Sequence, residues 1–69
     1  MTAETHNTIV AARKALGLSQ WQMGYLCRIS QPYYGNIETG RAIPPIELAQ
    51  KIGKILSISW ELFYNEDKE

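Results

Sequence analysis

Several kinds of chemistry are missing from this sequence. Its one cysteine, Cys27, cannot close an internal disulfide, and its one histidine, His6, cannot complete a zinc site with it. No apolar run approaches the roughly 18 residues that a membrane-spanning helix needs. The stretch Met1 to Asn7 is polar and lacks the basic-then-apolar order of a secretory signal, so a cytoplasmic location is expected. No nucleophile has an adjacent base, and the carboxylates Glu61, Glu66, Asp67 and Glu69 gather in the terminal region with no cleft to serve. The chain has 69 residues. A chain this short buries only about 60% of its unfolded surface, and a cleft of about 300 Å³ would take most of the core away. The expectation is one domain, non-enzymatic, with no cofactor, metal or small-molecule substrate. Its core should span about residues 8–64, with frayed ends at 1–6 and 65–69.

An excess of either charge is also missing: seven basic side chains balance seven acidic ones. On its face this argues against a nucleic-acid partner, but the distribution is uneven. Residues 1–54 carry six basic side chains (Arg13, Lys14, Arg28, Arg41, Lys51, Lys54) against three acidic ones (Glu4, Glu38, Glu47), a net of +3. Residues 55–69 carry Lys68 against four acids, a net of −3. An acidic tail masks a modestly basic body.

What is there is helical periodicity with regular punctuation. A first helix is predicted from about Thr8 to Leu16, with Asn7 or Thr5 as N-cap, Ile9, Ala12 and Leu16 facing inward, and Gly17 ending it. Ser19 caps a second, Gln20 to Cys27, with Met23, Leu26 and Cys27 on one side. Cys27 there reads as a small core residue rather than a reactive thiol. Gly24 in mid-helix costs roughly 1 kcal/mol against alanine, which points to a close neighbour. Ser30 caps a third helix running to Thr39 and stopped by Gly40, with Pro32 in its first turn. At 100° per residue, Tyr34, Ile37 and Glu38 share one side, and Gln31, Pro32, Gly35, Asn36 and Thr39 the other. A fourth helix spans Pro45 to Leu56, its apolar face drawn from Ile46, Leu48, Ala49, Ile52, Ile55 and Leu56. Ser59 caps a short fifth, Trp60 to Tyr64. The fold class expected is all-α, a compact bundle of five helices with a helix-turn-helix at about residues 20–39.

The string ALGLSQWQMGYLCRISQPYYGNIETGRAIP, residues 15–44, resembles the Cro and phage-repressor type of helix-turn-helix protein. The carrying features are the arginine of the first helix, the Gly-Leu-Ser-Gln opening of the second, and the Ile-Glu-x-Gly-x-x-x-Pro close. The likeness covers about residues 8–64 and implies a dimeric DNA-binding transcriptional regulator, a repressor, with double-stranded DNA as partner. It implies base reading by Gln31 and Asn36, with Pro32 beside them. It implies phosphate-backbone contact by Gln20 and Ser30, and a buried ion pair between Arg13 and Glu38. Glutamine at the first position has the donor and acceptor pair that matches adenine N6 and N7 in the major groove. Arg41, Arg28 and Tyr33 are further candidates for the DNA backbone. Ile58, Trp60 and Tyr64 offer apolar area for a dimer contact.

The sequence departs from that pattern in places. Arg28 stands where the family usually has glycine, which implies a strained or different turn, or a side chain aimed at a phosphate. Gly35 replaces a larger residue in the middle of the reading helix, either permitting close approach to DNA or removing a contact. Tyr34 fills a usually aliphatic position and reads as core. Few basic residues lie on the DNA side, so an antitoxin or adaptor that works through protein contacts stays open as the alternative.

Overall fold

A computed structural model describes residues 1–64, so the expected fraying of residues 65–69 lies outside the described residues. The helices are α1 (Ala3–Ala15), α2 (Gln20–Cys27), α3 (Gln31–Thr39) and α4 (Ile46–Leu56), followed by a 3-10 helix, Trp60–Tyr64. There is no strand among the described residues. The all-α class holds, but the expected fifth α-helix is a single 3-10 turn. Five residues are too few for a stable α-helix, and the Ser59 hydroxyl donates to the Glu61 carboxylate (3.1 Å) instead of capping the backbone.

The largest departure is at the start. α1 begins five residues earlier than its predicted Thr8, with Thr2 as its N-cap accepting from the Thr5 amide (3.0 Å). The residues expected to cap or fray are absorbed by local and tertiary bonds. Thr5 is buried and takes a hydrogen bond from the Thr2 hydroxyl, and Thr8 donates back to the Glu4 carbonyl. The buried positions of α1 are therefore Thr5, Ile9 and Arg13, one helical turn apart, rather than the expected Ile9, Ala12 and Leu16. Leu16 is the C-cap and is half exposed, and Ala12 only flanks the core.

Ser19 opens α2 with a full capping box: its hydroxyl accepts from the Gln22 amide (3.0 Å), and the Gln22 carboxamide accepts from the Ser19 amide (2.8 Å). Met23 and Cys27 are buried as expected, whereas Leu26 is 44% exposed. The close neighbour inferred at Gly24 is the inter-helix turn. A β-carbon there would stand 2.9 Å from the Ile29 carbonyl oxygen and 3.3 Å from the Gln31 nitrogen. The turn itself passes through Arg28 in the left-handed region, φ 60°, the strained backbone that a non-glycine residue at this position implied.

Ser30 caps α3 through the Tyr33 amide (3.2 Å), and Gly40 at φ 86° ends it. In α4, Pro45 is the N-cap rather than the first helical residue. Ile46, expected on the apolar face, is exposed; Ala49, Ile52 and Leu56 are buried. These three join Ile9, Met23, Cys27, Tyr34, Ile37 and Phe63 in one core. All four helices and the 3-10 turn contribute to it, so the core fixes how α2 and α3 are presented.

Candidate nucleic-acid interface

Glu38 sits at the centre of the site, on the inner side of α3 and 1% exposed. A bare carboxylate there would cost several kcal/mol. Arg13 answers it with two donors, Nε to Oε2 at 2.7 Å and Nη2 to Oε1 at 3.2 Å, and uses Nη1 to hold the Leu18 carbonyl (2.8 Å). The Tyr34 hydroxyl donates to Oε2 (3.1 Å) and Gln20 Nε2 donates to Oε1 (2.7 Å). Burial pushes the Glu38 carboxyl up, but the bonds from Arg13 and Gln20 outweigh it and hold the group below its ordinary value. The same hydrogen bond raises the Arg13 guanidinium. Burial, then the Glu38 charge, pushes the Tyr34 phenol up, so it stays a donor. Among the described residues, no buried side-chain polar atom lacks a partner.

The charge at Glu38 fixes the direction of a relay that ends on the surface. A carboxylate only accepts, so Gln20 must turn its NH₂ inward and its Oε1 outward. Gln31 Nε2 then donates to that Oε1 at 2.8 Å. Gln31 therefore faces solvent with one remaining N–H and a free carbonyl oxygen. Gly35 makes room for this pair: a β-carbon at 35 would lie 3.2 Å from Gln20 Oε1 and 3.7 Å from Gln31 Nε2.

Around that pair is a shallow open groove. It is lined by Gln20, Gln31, Pro32, Gly35, Asn36, Thr39 and Arg41. The structure thus brings Gln31, Asn36, Pro32, Gln20 and Arg41 together. Ser30, Tyr33 and Arg28 lie outside the lining: Ser30 and Arg28 are exposed, and Tyr33 is half-buried against the core. Ile58, Trp60 and Tyr64 are also half-buried against the chain's own core. Trp60 meets Tyr64 edge-to-face at 5.8 Å, and the Tyr64 hydroxyl donates to the Pro44 carbonyl. Cys27 is buried, and burial raises its thiol, as a core residue requires. Among the described residues no three His, Cys, Asp or Glu side chains stand where they could hold a metal ion.

Two roles were missed from sequence. His6 Nδ1 donates to the Glu38 backbone carbonyl (2.7 Å), satisfying an otherwise open acceptor near the end of α3. Phe63 is 5% exposed and belongs to the core. Nothing local marks His6, because its partner is 32 residues away; Phe63 lies beyond the left-handed Ser57 that ends α4, so the α4 repeat does not carry through to it.

A family model described as helix-turn-helix matches residues 9–63, from the middle of α1 through the 3-10 turn. Neither the curated proteins nor the solved structures yield a match. With a capped α2, a tight turn and a capped α3 inside that span, the chain belongs to the Cro/C1-type helix-turn-helix family of DNA-binding regulators.

Proposed function

We propose that this chain is a sequence-specific transcriptional regulator, a repressor, that sets α3 in the major groove of double-stranded DNA as a homodimer. The observation that carries this reading is the relay from Glu38 through Gln20 to Gln31. Adenine offers N7 as acceptor and N6 as donor in the major groove. Gln31 matches both with the N–H and oxygen left over, so its tether to Gln20 uses the one donor that base reading does not need. Asn36, exposed one and a half turns on, is the second base reader, with Pro32 in apolar contact. Gln20, through its backbone N–H, and Ser30, Arg41, Arg28 and Tyr33 contact the phosphate backbone, helped by the dipoles at the starts of α2 and α3.

The dimer forms around Ile58, Trp60 and Tyr64. Exposed apolar area adjoins them: Ile43 and Ile46 are 71% and 57% exposed on either side of Pro44, whose carbonyl holds Tyr64. Two such protomers place their reading helices about 34 Å apart, one turn of duplex. The protein works in the cytoplasm, as one domain and without a cofactor.

The alternative, a module acting through protein contacts, draws support from the zero net charge. Salt separates the two. With Arg28 and Arg41 from each protomer on phosphates, a dimer neutralises about four, so affinity for duplex DNA should fall about 10²-fold between about 50 and 200 mM salt. Absence of duplex binding even at the lower salt would establish the alternative.

A further inference from the structure

The outer side of α2 takes no part in the core or the groove, yet it carries the most conspicuous exposed side chains in the molecule. Trp21 is 65% and Tyr25 73% exposed, and their rings stack on each other with centroids 5.9 Å apart and planes within 12°. At 100° per residue, Trp21 lies 100° and Tyr25 140° round α2 from Gln20. Neither ring lines the groove. Stacking on each other hides one ring face apiece and leaves the outer faces to water.

The charge along this part of the chain is of one sign. α2 contains no acidic residue, and neither does any position from 5 to 37; Arg13, Lys14 and Arg28 fall in that stretch. Arg13 is spent on Glu38, while Lys14 and Arg28 are exposed. Arg28 follows Tyr25 by three residues, its amide bonded to the Tyr25 carbonyl at 3.2 Å, which puts an exposed arginine at the end of α2. Trp, Tyr and Arg are the residue types that dominate binding energy at protein interfaces. Two aromatic side chains bury about 300–500 Å² between them, short of the ~800 Å² per partner that a stable interface requires. That area suits a short segment better than a second copy of this chain.

We propose that the Trp21–Tyr25 face is a docking site for an acidic peptide segment of a partner protein. Leucine or phenylalanine side chains of that segment lie on the rings, and its carboxylates face Arg28. The rings lie off the groove that faces DNA, whereas Arg28 is shared, so bound duplex weakens the carboxylate contact and leaves the contact with the rings.

The test uses the full chain, labelled for amide and indole resonances. The probe is a 12-residue peptide alternating Glu or Asp with Leu or Phe. Two comparison peptides carry lysine in place of the acids, or glutamate with no apolar residue. The acidic apolar peptide is expected to shift the Trp21 indole resonance and leave that of Trp60 in place. The variant W21A/Y25A should bind it at least tenfold more weakly while keeping its fold and its duplex DNA affinity within twofold. R28G should weaken the acidic peptide and not the lysine peptide, and it lowers duplex affinity as well because Arg28 is also a phosphate contact.

Four results would overturn the proposal. One is no shift at millimolar peptide, and another is equal binding of the lysine peptide. A third is loss of duplex binding in a folded W21A/Y25A protein, which would place the face on DNA. The last is self-association that W21A/Y25A abolishes, which would make a second copy the occupant.

Discussion

The orientation of one carboxamide decides what Gln31 can offer a base pair, and that orientation is dictated by the Glu38 charge two side chains away. Gln31→Ala is expected to cost about 1–3 kcal/mol in binding to the cognate duplex and to relax base preference at one position. Unchanged affinity and preference in a binding titration would remove Gln31 from the reading. Gly35→Ala separates stability from function. Alanine gains about 1 kcal/mol of helix propensity, and the 3.2 Å clash falls on the movable tip of Gln20. That tip also holds Glu38 and Gln31, so the propensity gain is offset: thermal melting should change little while DNA affinity falls. Arg28→Gly relieves a left-handed residue and should stabilise the fold by about 1 kcal/mol in chemical denaturation. The surface residues of this site were legible: caps and a 100° repeat put Gln31, Asn36 and Pro32 on one side of α3. The inward turn of Gln20 was not, because its partner Glu38 lies 18 residues along the chain and only packing brings the two together.

At the scale of elements, helix ends marked by Ser19, Ser30 and Gly40 were readable because each carries its own local hydrogen bond or backbone requirement. The start of α1 was not. Asn7, Thr5 and Thr2 are all competent caps, and the choice among them falls to the burial of Thr5 and to a tertiary bond at His6, neither of which has a local signature. The same competition exchanged Leu16 for Arg13 on the inner side, since Glu38 supplies a buried partner that makes an arginine admissible there. Gly24→Ala tests the tight approach of α2 to its turn. The added carbon meets a backbone oxygen at 2.9 Å that cannot step aside. A loss of about 1–3 kcal/mol by urea titration is expected, despite alanine's better helix propensity.

At the scale of the molecule, the buried network ties stability to pH. Glu38 titrates below its ordinary value of 4.5 when folded. Its contribution is thus fully present above about pH 4.5 and is lost as pH falls through the lower folded value. Urea midpoints followed down in pH should show this loss, and Glu38→Gln should remove that part of the slope. Removing the carboxylate altogether, Glu38→Ala, strands Arg13 and should cost about 3–5 kcal/mol. Across the same molecule the basic body and acidic end cancel, so DNA affinity must come from few contacts, doubled by dimerisation.

Selection of bound duplexes from a random DNA pool bears most directly on Gln31 as a base reader. Enrichment of a two-fold symmetric site, with an adenine in each half whose preference disappears for Gln31→Ala, is the expected result. A pool that stays unenriched, or a preference that survives Gln31→Ala intact, would contradict it.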